Sequence, residues 1–310
     1  MNWHETFSHW AEAPSETEES KAERAARMVR EALRDADAMR GRDFDIIAIG
    51  SYRNNTNVRA GRDVDLAAVL SSAQWSEFPA DGSVTRETLR LTDASYALPE
   101  FRNDIGRALR ERFGGNDVGR GRISLTVDEG SARLSADVTP YLIHRRYTGR
   151  LFSDGQWENH VGVETRPAGE PTRRIIQWPE QHYVAGVAKN QATNRRYKRI
   201  VRILKCLRDQ IAADGTVAAQ SIAMRTKSCF IEHSVFNVPN GDFDQSEGTY
   251  YNDARAAVAY LWRAARDPAQ TAALVEVSMM QPLFRADEQW TAKLLEDFMF
   301  VAWQHVGFAA

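Results

Sequence analysis

The chain has 310 residues, 43% of them hydrophobic and 26% charged, enough for a substantial core in one large domain or two packed lobes. Its formal net charge of −2 gives no global attraction to nucleic acid or anionic membrane, although 40 lysines and arginines leave room for a local basic patch. The two cysteines, Cys206 and Cys229, lack CxxC spacing, which argues against a disulfide framework and a zinc site and fits a reducing compartment.

The polar stretch 1–20 has no apolar h-region, and no apolar run approaches the roughly 18 residues of a membrane span. A cytoplasmic protein is expected. Residues 16–40 predict a long amphipathic helix. Ser15 and Glu18 form a capping-box pattern at its start. Ala25, Met28, Val29, Ala32, Leu33, Ala36 and Met39 recur at spacings of three and four, and Gly41 marks a stop.

Phe44 to Ile49 reads as a short buried strand ending at Gly50. Val64 to Leu70 reads as a second strand, after a polar loop. Residues 100–113 predict a helix closed by Gly114-Gly115. Ile123, Leu125 and Val127 alternate with polar residues, as do Leu134, Ala136 and Val138, with the turn Asp128-Glu129-Gly130-Ser131 between them; this is a hairpin pattern, stopped by Pro140. Residues 149–180 carry Gly, Pro and charge with little periodicity and read as a connection. Helical patterns follow over roughly 181–211, 219–235, 250–266 and 287–306. The expected layout is α+β, a core lobe over 1–150 and a connection plus helical lobe over 151–310. The long N-terminal helix is expected to brace both.

The chemistry concentrates in Ile49-Gly50-Ser51-Tyr52, an eleven-residue gap, and Asp63-Val64-Asp65-Leu66. A glycine lets backbone N–H groups approach a triphosphate, and the adjacent serine adds a hydroxyl. In Asp-x-Asp on a strand, Asp63 and Asp65 share one face while Val64 faces the core. Two metal ions about 3.5–4 Å apart would need such a face. Asp137, late in an apolar strand, is costly to bury unless paired or metal-bound, and it is the candidate third ligand. A lone Gly-Ser or a lone Asp-x-Asp carries little weight; the combination carries the prediction.

These residues resemble the polymerase beta-type nucleotidyltransferases. Four stretches extend the likeness to bacterial enzymes similar to cyclic GMP-AMP synthase and oligoadenylate synthase, the DncV-like CD-NTases of CBASS anti-phage signalling. They are Gly50 to Thr56 with Asp65; Asp137-Val138-Thr139-Pro140-Tyr141; Pro179 to Lys205; and Lys227 to Glu232 with Phe236-Asn237-Val238-Pro239. The resemblance implies a polymerase beta-type core, a mixed sheet with helices, and a helical lobe similar to the C-terminal domain of oligoadenylate synthase.

It also implies synthesis of a cyclic di- or trinucleotide second messenger from ribonucleoside triphosphates. Two Mg2+ ions would serve, with Mn2+ as a substitute, held by Asp63, Asp65 and Asp137. Gly50 and Ser51 would bind the donor triphosphate, and Lys205 and Ser228 would reach its β- and γ-phosphates. Asn190 and Thr193 are candidates for a base contact, against ordinary capping use. A separate effector protein would respond to the product, with a regulatory protein as a further partner. No membrane or specific DNA binding is expected, since no zinc ribbon is present. Cys229 departs from relatives that carry a base-stacking aromatic there. The alternatives are a nucleotidyltransferase modifying a small molecule, RNA end or protein, and an inactive nucleotide-binding regulator.

Overall fold

The computed structural model describes residues 1–59, 63–131, 133–243, 250–286 and 290–308. The chain divides into two compact units. Glu16–Gly50 with Arg62–Pro179 form a sheet unit; Met1–Ser15, Ser51–Gly61 and Glu180–Ala310 form a helical unit. This partition differs from the expected 1–150 and 151–310 layout. The stretch 149–180 is not a connection; it completes the sheet.

In the sheet unit, α2 (Glu16–Asp35) buries Ala22, Ala25, Ala26, Val29, Ala32 and Leu33 along one stripe, as the spacing predicts. It ends short of Gly41 because Ala36 is extended, and Asp37–Met39 forms one further tight turn. α2 packs on α4 (Leu98–Phe113) and on the sheet. The strands are β1 (Phe44–Ala48), β2 (Asp63–Glu77), β3 (Val118–Arg120), β4 (Leu125–Val127), β5 (Ser135–Leu151), β6 (Trp157–Thr165) and β7 (Ile175–Gln177). Their order is β1-β2-β5-β4-β3, with β6 also on β5 and β7 on β6. β2 and β5 run parallel; the other pairs are antiparallel.

The hairpin of β4 and β5 forms as expected, but Pro140 does not stop β5. Pro140 pairs with Ala68 of β2 on one side. On the other side, β4 pairing ends at Val138 and β6 pairing begins at Leu142. The proline therefore sits where the ladder changes partners, and its missing N–H removes no paired bond there. At the distal end of the sheet, buried His144 binds Glu164 at 2.9 Å. Arg174 bonds Glu164 through two nitrogens at 2.9 Å each and reaches Glu77 at 3.1 Å. Arg146 bonds Glu77 at 2.7 Å.

In the helical unit, α1 (Trp3–Trp10) was not expected from the polar composition of the N-terminus. Its signal is three aromatics, Trp3, Phe7 and Trp10, on one helical face, and Phe7 is fully buried. The short helix α3 (Gly50–Asn54) follows β1. The pattern over 181–211 resolves into α5 (Pro179–Ala192) and α6 (Arg196–Asp214), broken where Asn194 and Arg195 take positive φ of 48° and 63°. The pattern over 219–235 likewise divides into α7 (Val217–Arg225) and α8 (Ser228–Phe236). α9 (Tyr250–Arg266), α10 (Pro268–Ala273) and α11 (Ala292–Val306) follow; the start of the helix expected over 287–306 lies outside the described residues. Phe7, Ile200, Leu204, Phe230, Leu261 and Phe298 belong to one continuous core. Arg202 donates to the carbonyls of Ala11 and Asn55, tying two distant segments to α6. No helix among the described residues is long and apolar enough to cross a membrane.

Candidate active site

The register of β2 and β5 brings the predicted carboxylates together. Asp65 pairs directly with Asp137 across the parallel ladder, and Asp63 pairs with Ser135. Neighbouring strands lie about 4.8 Å apart, and Asp63 stands two residues, about 7 Å, along the same face. Val64, Leu66, Ala136 and Val138 are buried on the opposite face, so the period-two reading of both strands holds. Asp137 is steadied on its other side by β4, where the Thr126 hydroxyl donates to its Oδ1 at 2.6 Å. Three carboxylates on one patch repel each other unless a cation stands among them. Among the described residues, no three such side chains close into a preformed metal cage. The aspartates are an open set. Such a set suits Mg2+, which keeps waters and takes phosphate oxygens beside one or two carboxylates.

Gly50 is fixed by two independent constraints. Its φ is +63°, and a Cβ placed there would lie 2.4 Å from Oδ2 of Asp65. Only a residue without a side chain brings the backbone so close to that carboxylate. Gly50→Ala is expected to cost about 1–2 kcal/mol in backbone strain alone. It is also expected to displace Asp65, so catalytic rate should fall by more than the stability loss accounts for. Steady-state rates measured beside urea unfolding check this; an alanine variant with normal kcat would separate Gly50 from catalysis.

Lys205 and Ser228 lie in the helical unit. Lys205 is 3% exposed, and its ammonium donates to Glu232 Oε2 (3.1 Å), to the Thr56 carbonyl (3.0 Å) and to the Thr56 hydroxyl (3.3 Å). All three protons are committed within the protein, which corrects the expectation of a lysine reaching out to phosphate. Glu232 is the centre of this network. It also accepts from the Thr56 hydroxyl at 2.6 Å and meets His182 Nε2 at 2.9 Å. Burial alone would raise its pKa; the charge of Lys205, with His182 and the Thr56 hydroxyl, holds it well below the usual carboxylate range. Glu232 was passed over in the sequence, where its signal is a lone acid within Phe230-Ile231-Glu232-His233-Ser234-Val235. Ser228 opens α8 and is half-buried, and its hydroxyl accepts from Arg208 at 2.9 Å. Arg208, one turn beyond Lys205, is a second cation that the sequence reading overlooked.

The proposed base contacts fare differently. Thr193 is fully buried; its hydroxyl donates to the Lys189 carbonyl and accepts from the Tyr197 N–H. This is helix-start bonding for α6, and no base can reach it. Asn190 accepts from the Lys198 N–H at 3.2 Å through Oδ1. That is also a capping contact, although Asn190 is only half-buried. Tyr141 is buried, whereas Tyr183 is 40% exposed with the Arg53 guanidinium 5.3 Å from its ring centroid. Several arginines are engaged within the protein: Arg145 bonds Gln74 and Asn159, Arg146 and Arg174 bond carboxylates, and Arg196 bonds buried Asp253.

The buried groups make the protein acid-sensitive. Burial holds the His233 pKa down to about 3, and its Nδ1 accepts the Val277 N–H. His144, 3.6 Å away, and the hydrogen-bonded Arg146 hold Glu77 down to about 2. An unfolded histidine binds protons below about 6.5, so stability falls as pH drops from there towards 3. The carboxylates lose their contribution only below about 4.5. Unfolding free energy should thus decline by up to about 1.4 kcal/mol per pH unit below 6.5, then more steeply below 4.5. His233→Gln should flatten only the upper limb in a urea-denaturation series.

Comparison with known proteins places this geometry. Residues 184–307 match the C-terminal helical domain of cGAS/DncV-like nucleotidyltransferases. A cyclic dipyrimidine nucleotide synthase, CdnE, of Legionella pneumophila is 31% identical over 307 residues, covering 99% of this chain and 98% of the relative. A cyclic dipurine nucleotide synthase of Elizabethkingia meningoseptica is 31% identical over 311 residues, covering 99% of this chain and all of the relative. The solved structure of Rhodothermus marinus CdnE c-UMP-AMP synthase with Apcpp and Upnpp superposes with a TM-score of 0.81 at 25% identity, covering 99% and 98% of the two chains. With the sheet register, the three aspartates and this full-length kinship together, the chain belongs to the cGAS/DncV-like nucleotidyltransferases, an enzyme family with the polymerase beta-type fold.

Proposed function

We propose that this enzyme joins ribonucleoside triphosphates into a cyclic di- or trinucleotide second messenger for anti-phage defence. The observation that carries the chemistry is the pairing of Asp65 with Asp137 across adjacent strands, with Asp63 on the same face. The cyclic product is supported by full-length similarity to proteins named as cyclic nucleotide synthases.

In this reading Asp63, Asp65 and Asp137 would hold the metal, with Asp137 serving the attacking hydroxyl. Mg2+, or Mn2+ in its place, supplies Lewis acidity at the phosphoryl oxygens when two ions are bound. The acceptor hydroxyl gives up its proton, and its oxygen bonds the α-phosphorus of the donor. The bond from that phosphorus to the β-bridging oxygen breaks, and pyrophosphate leaves. Repetition within the linear intermediate closes the ring with a further pyrophosphate released. Gly50 and Ser51 are assigned to the donor triphosphate, Ser228 to its terminal phosphates, and Lys205 to holding Thr56. A separate effector would read the product, and a regulatory protein would govern its synthesis.

The test is direct. The protein is incubated with the four ribonucleoside triphosphates and Mg2+ or Mn2+, treated with phosphatase, and the products are identified by mass spectrometry. A phosphatase-resistant cyclic product supports the proposal. Transfer of a single nucleotide to another acceptor, without cyclic product, would favour the small-molecule, RNA-end or protein-modifying alternative.

A further inference from the structure

The sheet unit holds a cavity of about 570 Å3 that the catalytic reading does not use. It opens at the far end of β2, where the register against β5 shifts between Leu70 and Gln74. Its walls include Trp75, the segment before α4, Arg102 and Asn103 of α4, Arg120 of β3, and the loop at Arg166. Ten residues of strand separate Trp75 from Asp65, about 30 Å at the rise of an extended chain. The volume lies within the range of small-molecule sites.

The charge of this lining is unlike that of the chain. Four arginines (Arg86, Arg102, Arg120 and Arg166) face one carboxylate, Asp93, a formal balance of +3 in a protein of net charge −2. Asp93 is already paired with Arg86 at 2.5 Å. Arg102 is buried, and its guanidinium donates to the carbonyls of Arg122 and Ile123, with no carboxylate among those partners. Burial and the neighbouring charge of Arg120 both lower its pKa, the mark of two cations held together without compensation. Arg166 lies 4.2 Å over the Trp75 ring centroid and donates to the Pro171 carbonyl, while its buried Nε has no hydrogen-bond partner among the described residues. Glu164, 3.5 Å from Arg166, is already held by His144 and Arg174. The rest of the lining mixes the apolar Trp75, Leu98, Pro99 and Leu142 with the polar Gln74, Thr92 and Asn103.

We propose that this cavity is a second ligand site, distinct from the catalytic carboxylates, which takes a small organic phosphate bearing a planar ring: a nucleotide by chemical class. Arg120 and Arg166 would bind the phosphate, and the apolar part of the lining would pack against the ring. Such a ligand could be a cellular mononucleotide or the enzyme's own cyclic product, since both present the same phosphate-plus-ring chemistry.

The test is calorimetric titration of the full-length protein in EDTA, so that metal-dependent binding at the aspartates is suppressed. The probes are AMP, UMP, a cyclic dinucleotide and inorganic phosphate. The expected result is saturable nucleotide binding by wild type and by Asp65→Asn alike, weakened about tenfold or more by Arg120→Glu. A tighter mononucleotide identifies a metabolite ligand, and a tighter cyclic dinucleotide identifies the product; either supports the site. Binding lost in Asp65→Asn but kept in Arg120→Glu would place the ligand at the catalytic carboxylates and overturn the proposal. So would the absence of saturable nucleotide binding, or inorganic phosphate binding as tightly as the nucleotides. If Arg120→Glu melts early, Arg120→Gln with wild-type melting carries the comparison. Failure here leaves the cyclic-nucleotide reading intact, since that reading is scored by product formation in Mg2+.

Discussion

Asp65→Asn is expected to reduce nucleotide transfer by about a hundred- to a thousandfold while leaving the fold in place. The substitution keeps size and hydrogen-bonding capacity but removes one negative charge from the patch shared with Asp63 and Asp137. Metal affinity and transition-state charge stabilisation both depend on that charge, whereas the buried core depends on Leu66, Ala67 and Ala68 beside it. Pyrophosphate release and melting temperature should be measured together. Asp45→Asn, on the exposed side of β1, is the matched control for loss of a nearby carboxylate. An Asp65→Asn enzyme retaining more than about a tenth of the wild-type rate would place the chemistry elsewhere.

The second large effect concerns Glu232. Glu232→Leu should destabilise the protein by about 3–5 kcal/mol, because it leaves the Lys205 ammonium buried with its carboxylate partner gone. The cost comes from the stranded charge more than from lost attraction, and this makes the prediction specific. The double variant Lys205→Met with Glu232→Leu should recover most of the stability, as apolar groups of similar volume replace the pair. Urea unfolding of the two singles and the double measures the coupling. Singles that simply add in the double would show that the pair is not interacting. The double variant also asks a separate question of activity: recovered folding without recovered synthesis would assign Lys205 a part in handling the nucleotide.

The parts of the molecule governed by local periodicity were legible in the sequence. The α2 stripe and the alternation around Asp63-Val64-Asp65 and Ala136-Asp137-Val138 follow from backbone geometry alone, and they put the carboxylates on one face. Which strands would pair was not legible by that route; the parallel register of Asp65 with Asp137 is a long-range choice made by the sheet. Pro140 is misleading because its penalty depends on which side of the strand is paired at that residue, which no local window contains. Residues 149–180 are hard to read as sheet because β6 gains its pairing from β5 and β7 from β6, and neither shows much alternation of its own. The breaks at Asn194-Arg195 and Thr226-Lys227 divide patterns that periodicity alone joins. Thr193 and Lys205 show the same limit at the site. Residue type suggested ligand contacts, and only burial revealed that their polar atoms are already engaged inside the protein.

The close approach of Gly50 to Asp65 ties the fates of two positions 15 residues apart. The clash that forbids a side chain at Gly50 is with the carboxylate itself. If Asp65 is replaced by a small residue, as in a copy that has abandoned catalysis, the 2.4 Å overlap disappears, leaving a tight 3.3 Å approach to the Cβ of residue 65 and the preference for positive φ. Gly50 and Asp65 should therefore decay together along a lineage, with a larger residue at position 50 marking a degenerate copy. In a double-mutant cycle, adding Gly50→Ala to Asp65→Ala should cost little beyond the backbone strain of about 1–2 kcal/mol.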